Sequence, residues 1–469
     1  MRFSWLQQVA QGAMWPPVPW LGRSEAIAAG LIVAGAVLVL LAVLPLRRRR
    51  RARAALAERL LEDTHALKEQ LRFRLAEPAA LFADPRTAGP TMGASEGFEG
   101  DIEAAARTVL IEAGGHRAKA KDLLRQRING HGNGGDNGAL NGSGVAYWRQ
   151  LGALSLLDST GDAAAAYARA ADLAPQDAQA QMLSGVLHLR TGNLPAAEAA
   201  FRRQLGVSGA EDAGVARYRG QTMLGDVHAA RDAHEAAVAA YQEAQREVLA
   251  LLEHGPEQCA LQRDLSVTCD RIGDALAAAG KLDAARESYQ QALEIMAALA
   301  AREPDNPAWL RDLSVSHDRI GDILQRQGDV EGALESYRQG LACAQSLATR
   351  EPGNAQAQWE LSVSHERVGD MLLAKDQLDE ALQSYRRGLA IAETLASRDP
   401  AHVGWQRDLA VSYHKIGSLE AARGNAAEAR DLLEKGRAII ARLARIAAHQ
   451  AQWRSDLSKF DQTLQGLEG

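Results

Sequence analysis

Cys269, His317, His365 and Tyr413 stand 48 residues apart in a chain of 469. Histidine and cysteine are the side chains that metal binding and nucleophilic chemistry use most. Each of the four lies in a near copy of one string. The copies read "RDLSVTCDRIGD" at 263–274, "RDLSVSHDRIGD" at 311–322, "WELSVSHERVGD" at 359–370 and "RDLAVSYHKIGS" at 407–418. A degraded fifth copy, "SDLSKFDQTL", begins at 455 in the same register. A position that accepts Cys, His, His and Tyr in turn behaves as a packing site, not as a ligand. Catalytic groups have no reason to recur at a fixed interval, whereas a stacked structural unit does. The sequence holds no HExxH, no nucleophile elbow and no nucleotide fingerprint, and His116 and His131 lie near flexible polar sequence without a partner motif. No catalytic, cofactor-binding or metal site is expected, and an enzyme is the least favoured class.

The polar columns carry more. Asp270, Asp318 and Glu366 share one repeat position, and Asp274, Asp322 and Asp370 follow four residues later. Arg271, Arg319, Arg367 and Lys415 sit beside the first acids. Acids at i and i+4 on one helix repel unless a cation lies between them. Two readings follow. In one, each Arg or Lys reaches the acids of the neighbouring repeat and builds a salt-bridge ladder. In the other, the six acids line a groove that binds a basic peptide or a basic protein surface. The columns break in the fourth copy, where His414 and Ser418 replace the acids. Trp309, Trp405 and Trp453 also share a position, with Trp359 shifted by two. Filling space between neighbouring hairpins is their expected role, with partner anchoring as the alternative.

These residues need helices to hold them. Leu313, His317, Ile320 and Leu324 fall on one helical stripe. Past Gly328, Ala333, Tyr337 and Leu341 form a second stripe, and "REPDNP" at 302–307 ends the preceding unit. Each unit is therefore two helices and two turns. Gly321, Ala333, Tyr337 and Gly340 recur with one spacing as Gly273, Ala285, Tyr289 and Ala292, as Gly369, Ala381, Tyr385 and Gly388, and as Gly417, Ala429, Leu433 and Gly436. Small residues allow close helix approach, and the aromatic fills the gap against the next hairpin.

This spacing resembles the tetratricopeptide repeat. Trp148, Leu151, Gly152, Ala163, Tyr167, Ala170 and Pro175 match the family pattern, with one residue missing from the turn between the helices. Gly185, Ala197 and Phe201 mark a second unit, and Leu224, Gly225, Ala237, Tyr241 and Ala244 a third. The resemblance implies an all-α, right-handed superhelical solenoid of helix hairpins whose helix-A positions face a groove. Three repeats are expected over 145–258 and four long ones over 259–448, with a capping helix at 449–469. The long units exceed the family's usual length, which predicts about two extra turns per helix.

Residues 26–46 hold no charge and are long enough to span a hydrocarbon core of about 30 Å. The arginines of "RRRRRAR" at 47–53 follow this segment and outweigh Arg2 and Arg23 before it. The positive-inside rule then puts residues 1–25 outside and the repeats in the cytoplasm. A basic juxtamembrane helix at 47–76, a linker at 77–98, short helices at 99–128 and a Gly/Asn-rich tether at 129–144 complete the expected order. Ala26, Gly30 and Ala34 offer a small-residue row through which two spans can pack, so a homo-oligomer stays open.

Net charge is −6, and the chain outside 47–53 carries −12. That acidic remainder argues against nucleic acid as a partner. Three cysteines without a CxxC fit a reducing compartment. The long "DLSVS…GD" units also resemble repeats of bacterial multi-domain signalling proteins. The resulting expectation is a single-pass protein of a bacterial inner membrane that binds partner proteins as a scaffold or adaptor. The alternative is a regulatory sensor module acting with a separate effector.

Overall fold

A computed structural model describes residues 106–467 except 107–108, 111, 114–115, 132–139, 157, 208–212, 256–257 and 447–450. The expected membrane span at 26–46 and the segments 1–25, 47–76 and 77–98 lie outside these residues. No helix among the described residues is long and apolar enough to cross a membrane.

The described chain is an all-α solenoid. Helix α1 (Arg117–His131) precedes seven hairpins and a final helix. The hairpins are α2 (Leu140–Ser155) with α3 (Thr160–Leu173), α4 (Ala178–Arg190) with α5 (Leu194–Leu205), and α6 (Ala213–Ala229) with α7 (His234–His254). Then come α8 (Cys259–Ala278) with α9 (Leu282–Arg302), α10 (Pro307–Gln327) with α11 (Val330–Arg350), α12 (Ala355–Ala374) with α13 (Leu378–Arg398), and α14 (Val403–Ala422) with α15 (Ala426–Ile446). Helix α16 (Ala451–Gly466) closes the order. Each helix packs mainly on its neighbours in sequence, as a stacked repeat must.

The turn within six of the seven hairpins places one residue in the left-handed region. Gly192, Gly280, Gly328 and Gly424 supply it with φ of 75–84°. Asp232 and Asp376 take the same place, as a short polar side chain tolerates this region better than most. Asn306 and Asn354 cap α10 and α12 by accepting from backbone N–H groups.

Helices of the long repeats run 20–21 residues, against 12–16 in the first two hairpins. The gain is the two turns expected from unit length. It begins earlier than the sequence boundary at 258, because α7 already has 21 residues.

One N-terminal expectation changes. Helix α2 starts at Leu140, so the last five residues of the expected 129–144 tether are helical. Ala106, Val109, Leu110, Ala113, Ala120 and Leu124 are buried in one cluster with Leu151, Leu154 and Leu187. Lys121 Nζ donates to Asp158 Oδ2 at 2.6 Å. The residues of 99–128 that are described thus pack onto the first repeat. At the other end, α16 buries Trp453 and Phe460 against Ala410, Leu433, Ile440 and Leu443 and leaves Arg454, Ser455 and Lys459 exposed.

Candidate protein-binding surface

Each aromatic of the repeat signature lies on the glycine of its own hairpin. A methyl at Gly321 would fall 2.5 Å from Tyr337 Cε1, and one at Gly369 would fall 2.5 Å from Tyr385 Cε1. The other side of the ring meets the next hairpin: Tyr289 clusters with Ile320 and Ile323, and Tyr337 with Val368 and Met371. The phenol then reaches the acid that follows the glycine. Tyr241 Oη donates to Asp226 at 2.7 Å, Tyr289 to Asp274 at 2.6 Å, Tyr337 to Asp322 at 2.6 Å and Tyr385 to Asp370 at 2.7 Å.

That same acid receives a cation from helix A of the next hairpin. Arg271 pairs with Asp226, and Arg319 with Asp274 and, at 3.7 Å, Asp270. Arg367 reaches Asp322 at 3.1 Å and Asp318 at 3.5 Å. Lys415 reaches Asp370 at 2.8 Å and Glu366 at 3.5 Å. Each cation also lies over the tyrosine ring of the preceding repeat, at 5.5–5.9 Å from its centroid. The six acids named from the sequence therefore stand in an inter-repeat ladder.

The ladder divides them into two rows. The side chains of Asp270, Asp318 and Glu366 are 7, 18 and 10% exposed. Those of Asp274, Asp322 and Asp370 are 51, 34 and 39% exposed. The inner row is spent on the stack, while the outer row keeps a face toward solvent. Burial sets the inner chemistry: it pushes the Asp270 carboxyl up to about 7 and that of Asp318 to about 6, against the pull of Arg319 and Arg367. The ladder starts at Asp226, where Thr222 occupies the inner position, and stops at His414, which meets Thr463 in place of an acid–cation pair.

A second ladder links the N-terminal ends of the same helices. Arg263 Nε donates to Asp312 at 2.6 Å, Arg311 to Glu360 at 3.1 Å and Arg407 to Asp456 at 3.2 Å. Trp359 fills the arginine position of the third rung and donates from its indole to Asp408 at 2.8 Å. The "shifted" tryptophan is thus a substituted rung. Between the ladders run Val267, Val315, Val363 and Val411, the first buried and the others half-buried. Sequence reasoning did not single out this valine row, although its 48-residue spacing was readable.

The remaining tryptophans diverge. Trp453 is buried, which fits space filling. Trp309 is half-buried and donates to Glu303, and Trp405 stacks on His402 with centroids 4.0 Å apart. The His/Cys column packs as its variability implied. Cys269 is buried between Gln245 and Gln291, burial pushes the His365 imidazole down to about 4, and Tyr413 donates to Glu393. Among the described residues, no three His, Cys, Asp or Glu side chains are placed to hold a metal ion.

Family models described as "Tetratricopeptide repeat" match residues 157–214 and 319–387, 409–445, and 268–297. No curated protein matches the sequence. Among solved structures, BtubC from P. vanneervenii is 18% identical, with a TM-score of 0.42 over 54% of this chain and 90% of that one. A STAND protein with a tetratricopeptide repeat sensor from Pyrococcus horikoshii is 11% identical, with a TM-score of 0.40 over 75% of this chain and 52% of that one. YrrB, a TPR protein with an unusual peptide-binding site, is 18% identical, with a TM-score of 0.29 over 51% of this chain and 95% of that one. Tetratricopeptide-repeat matches therefore fall on the first two and the last four hairpins, and the third, α6 with α7, lies almost wholly outside them.

Proposed function

We propose that the chain is a membrane-anchored scaffold that binds partner proteins along the helix-A wall of its long repeats, α8, α10, α12 and α14. Tetratricopeptide repeats generally mediate protein–protein contact, and this reading assigns the chain no reaction of its own. The observation that carries the choice of wall is the outer acid row. Asp274, Asp322 and Asp370 stay partly exposed at a repeating interval beside a valine row. Each of the last three rungs holds two carboxylates and one cation, so a negative charge is left over in any rung whose two carboxyls are both ionised. An extended segment with basic and small apolar side chains complements such a wall.

The anchor is residues 26–46, with the basic run at 47–53 on the cytoplasmic side of a bacterial inner membrane. A pull-down from membranes in mild detergent tests both parts. The full chain is compared with a variant carrying Asp274→Asn, Asp322→Asn and Asp370→Asn. A partner retained by the original and lost by the folded variant supports the wall. Retention of every partner moves binding to another surface. Recovery of the full chain in the soluble fraction without detergent refutes the anchor.

A further inference from the structure

One cation serves two carboxylates in every rung of the first ladder except the Asp226 rung, and the two do not share it equally. The outer acid has the nearer contact: Lys415 is 2.8 Å from Asp370 against 3.5 Å from Glu366, and Arg367 is 3.1 Å from Asp322 against 3.5 Å from Asp318. Arg319 likewise touches Asp274 more closely than Asp270. The outer acid also takes the tyrosine hydroxyl. The inner acid has given up water and holds the weaker share of the cation. Asp270, more than nine-tenths buried, keeps Oδ1 without a hydrogen-bond partner; Asp318 is less buried as a residue, but its Oδ1 is shut off from solvent and also has no partner. A buried carboxylate oxygen with no donor favours a bound proton.

The last rung provides an internal comparison. There the inner acid is Glu366, and Ser412 of the next helix A donates to its Oε1 at 2.6 Å. Ser316 and Ser364 occupy the same repeat position beside Asp270 and Asp318. Their hydroxyls instead donate to the carbonyls of Asp312 and Glu360 on their own helices, at 3.1 Å each. Aspartate is one methylene shorter than glutamate and does not reach them.

We propose that Asp270 and Asp318 form a proton-binding register between the long repeats: with a proton bound, the rung balances one cation against one anion and neighbouring hairpins close; with the proton lost, two like charges compete for one cation and the interface loosens. The charged and titratable groups facing Asp270 are Cys269, Arg271 and Asp274 of α8, Tyr289 of α9, and Asp312 and Arg319 of α10. Those facing Asp318 are Asp322 of α10, Tyr337 and Cys343 of α11, and Glu360 and Arg367 of α12. In both sets the acids and phenol oppose a second negative charge. The upward shifts to about 7 and about 6 agree with this geometry. An unfolded aspartate titrates near ~3.9. Folding therefore takes up protons above that value, and the stability gained is complete in acid and lost as pH rises through 6–7.

The test counts protons taken up on folding by the full chain between pH 5 and 8, from the pH dependence of unfolding. The original protein takes up roughly one to two protons near pH 5.5 that an Asp270→Asn, Asp318→Asn variant does not. Equal uptake by the two proteins overturns the proposal. Should the Asn variant fail to fold, Asp270→Glu with Asp318→Glu provides the second arm. Its longer carboxylates reach Ser316 and Ser364 as Glu366 reaches Ser412, so the uptake near pH 5.5 falls. A folded Glu variant with unchanged uptake also overturns the proposal.

Discussion

Replacing Arg319 with methionine removes the cation that Asp270 and Asp274 share and that covers the Tyr289 ring. The Arg319 side chain is 8% exposed. Removing one member of a buried pair costs about 3–5 kcal/mol, because the other charge stays behind without compensation. Two features push the value to the lower end. Asp274 is half exposed and can hydrate, and Asp270 sheds its charge readily with a carboxyl already near 7. A loss of about 3 kcal/mol is expected at pH 7.5, and a smaller one at pH 5.5, where Asp270 enters as the neutral acid. Hydrogen exchange reads this locally, which suits a repeat array whose hairpins open in sections. Amides of α8–α11 lose the most protection, and those of α3–α5 little. A loss below about 1 kcal/mol, or one spread evenly along the chain, refutes the claim that the rung holds these two repeats together.

Other substitutions probe separate contacts. Gly369→Ala places a methyl 2.5 Å from the Tyr385 ring, and overpacking of about 1–3 kcal/mol outweighs the helix gain of about 1 kcal/mol, so thermal unfolding shifts down. Tyr337→Phe deletes the 2.6 Å bond to Asp322 and leaves the ring in place, at a cost of about 1 kcal/mol by denaturant titration. Trp359→Arg restores the arginine column opposite Asp408 and changes stability by under about 1 kcal/mol in a denaturation series; a larger loss shows that the indole packs as well as donates.

Much of the solenoid is legible because its rule is local and repeated. Gly321, Ala333 and Tyr337 announce a close helix pair wherever their spacing returns, and unit length converts directly into helix length. The ladder was legible as one of two readings, since acids at i and i+4 beside an arginine admit either a neighbour or a ligand. What decided its geometry was the register between hairpins, which places Arg319 against Asp274 and Tyr289 at once. Sequence spacing fixes positions along each helix and leaves the offset to the next helix open. The same gap hid the role of Trp359, whose place in the arginine column needs Asp408 of the next repeat to be seen. The packing of Ala106, Val109 and Leu110 on the first repeat was hidden differently. A Gly/Asn-rich stretch separates them from it, and composition says nothing about what such a stretch brings together.

The account rests on the helix-A wall as the side that meets a partner. Photo-crosslinking in intact cells tests it most directly. A photoreactive side chain is placed at Val315 or Val363 on that wall, or at Glu335 or Arg338 on the exposed face of α11. Adducts that form from the wall positions and not from α11 are the predicted result. Adducts only from α11, with folded protein in every case, contradict the account.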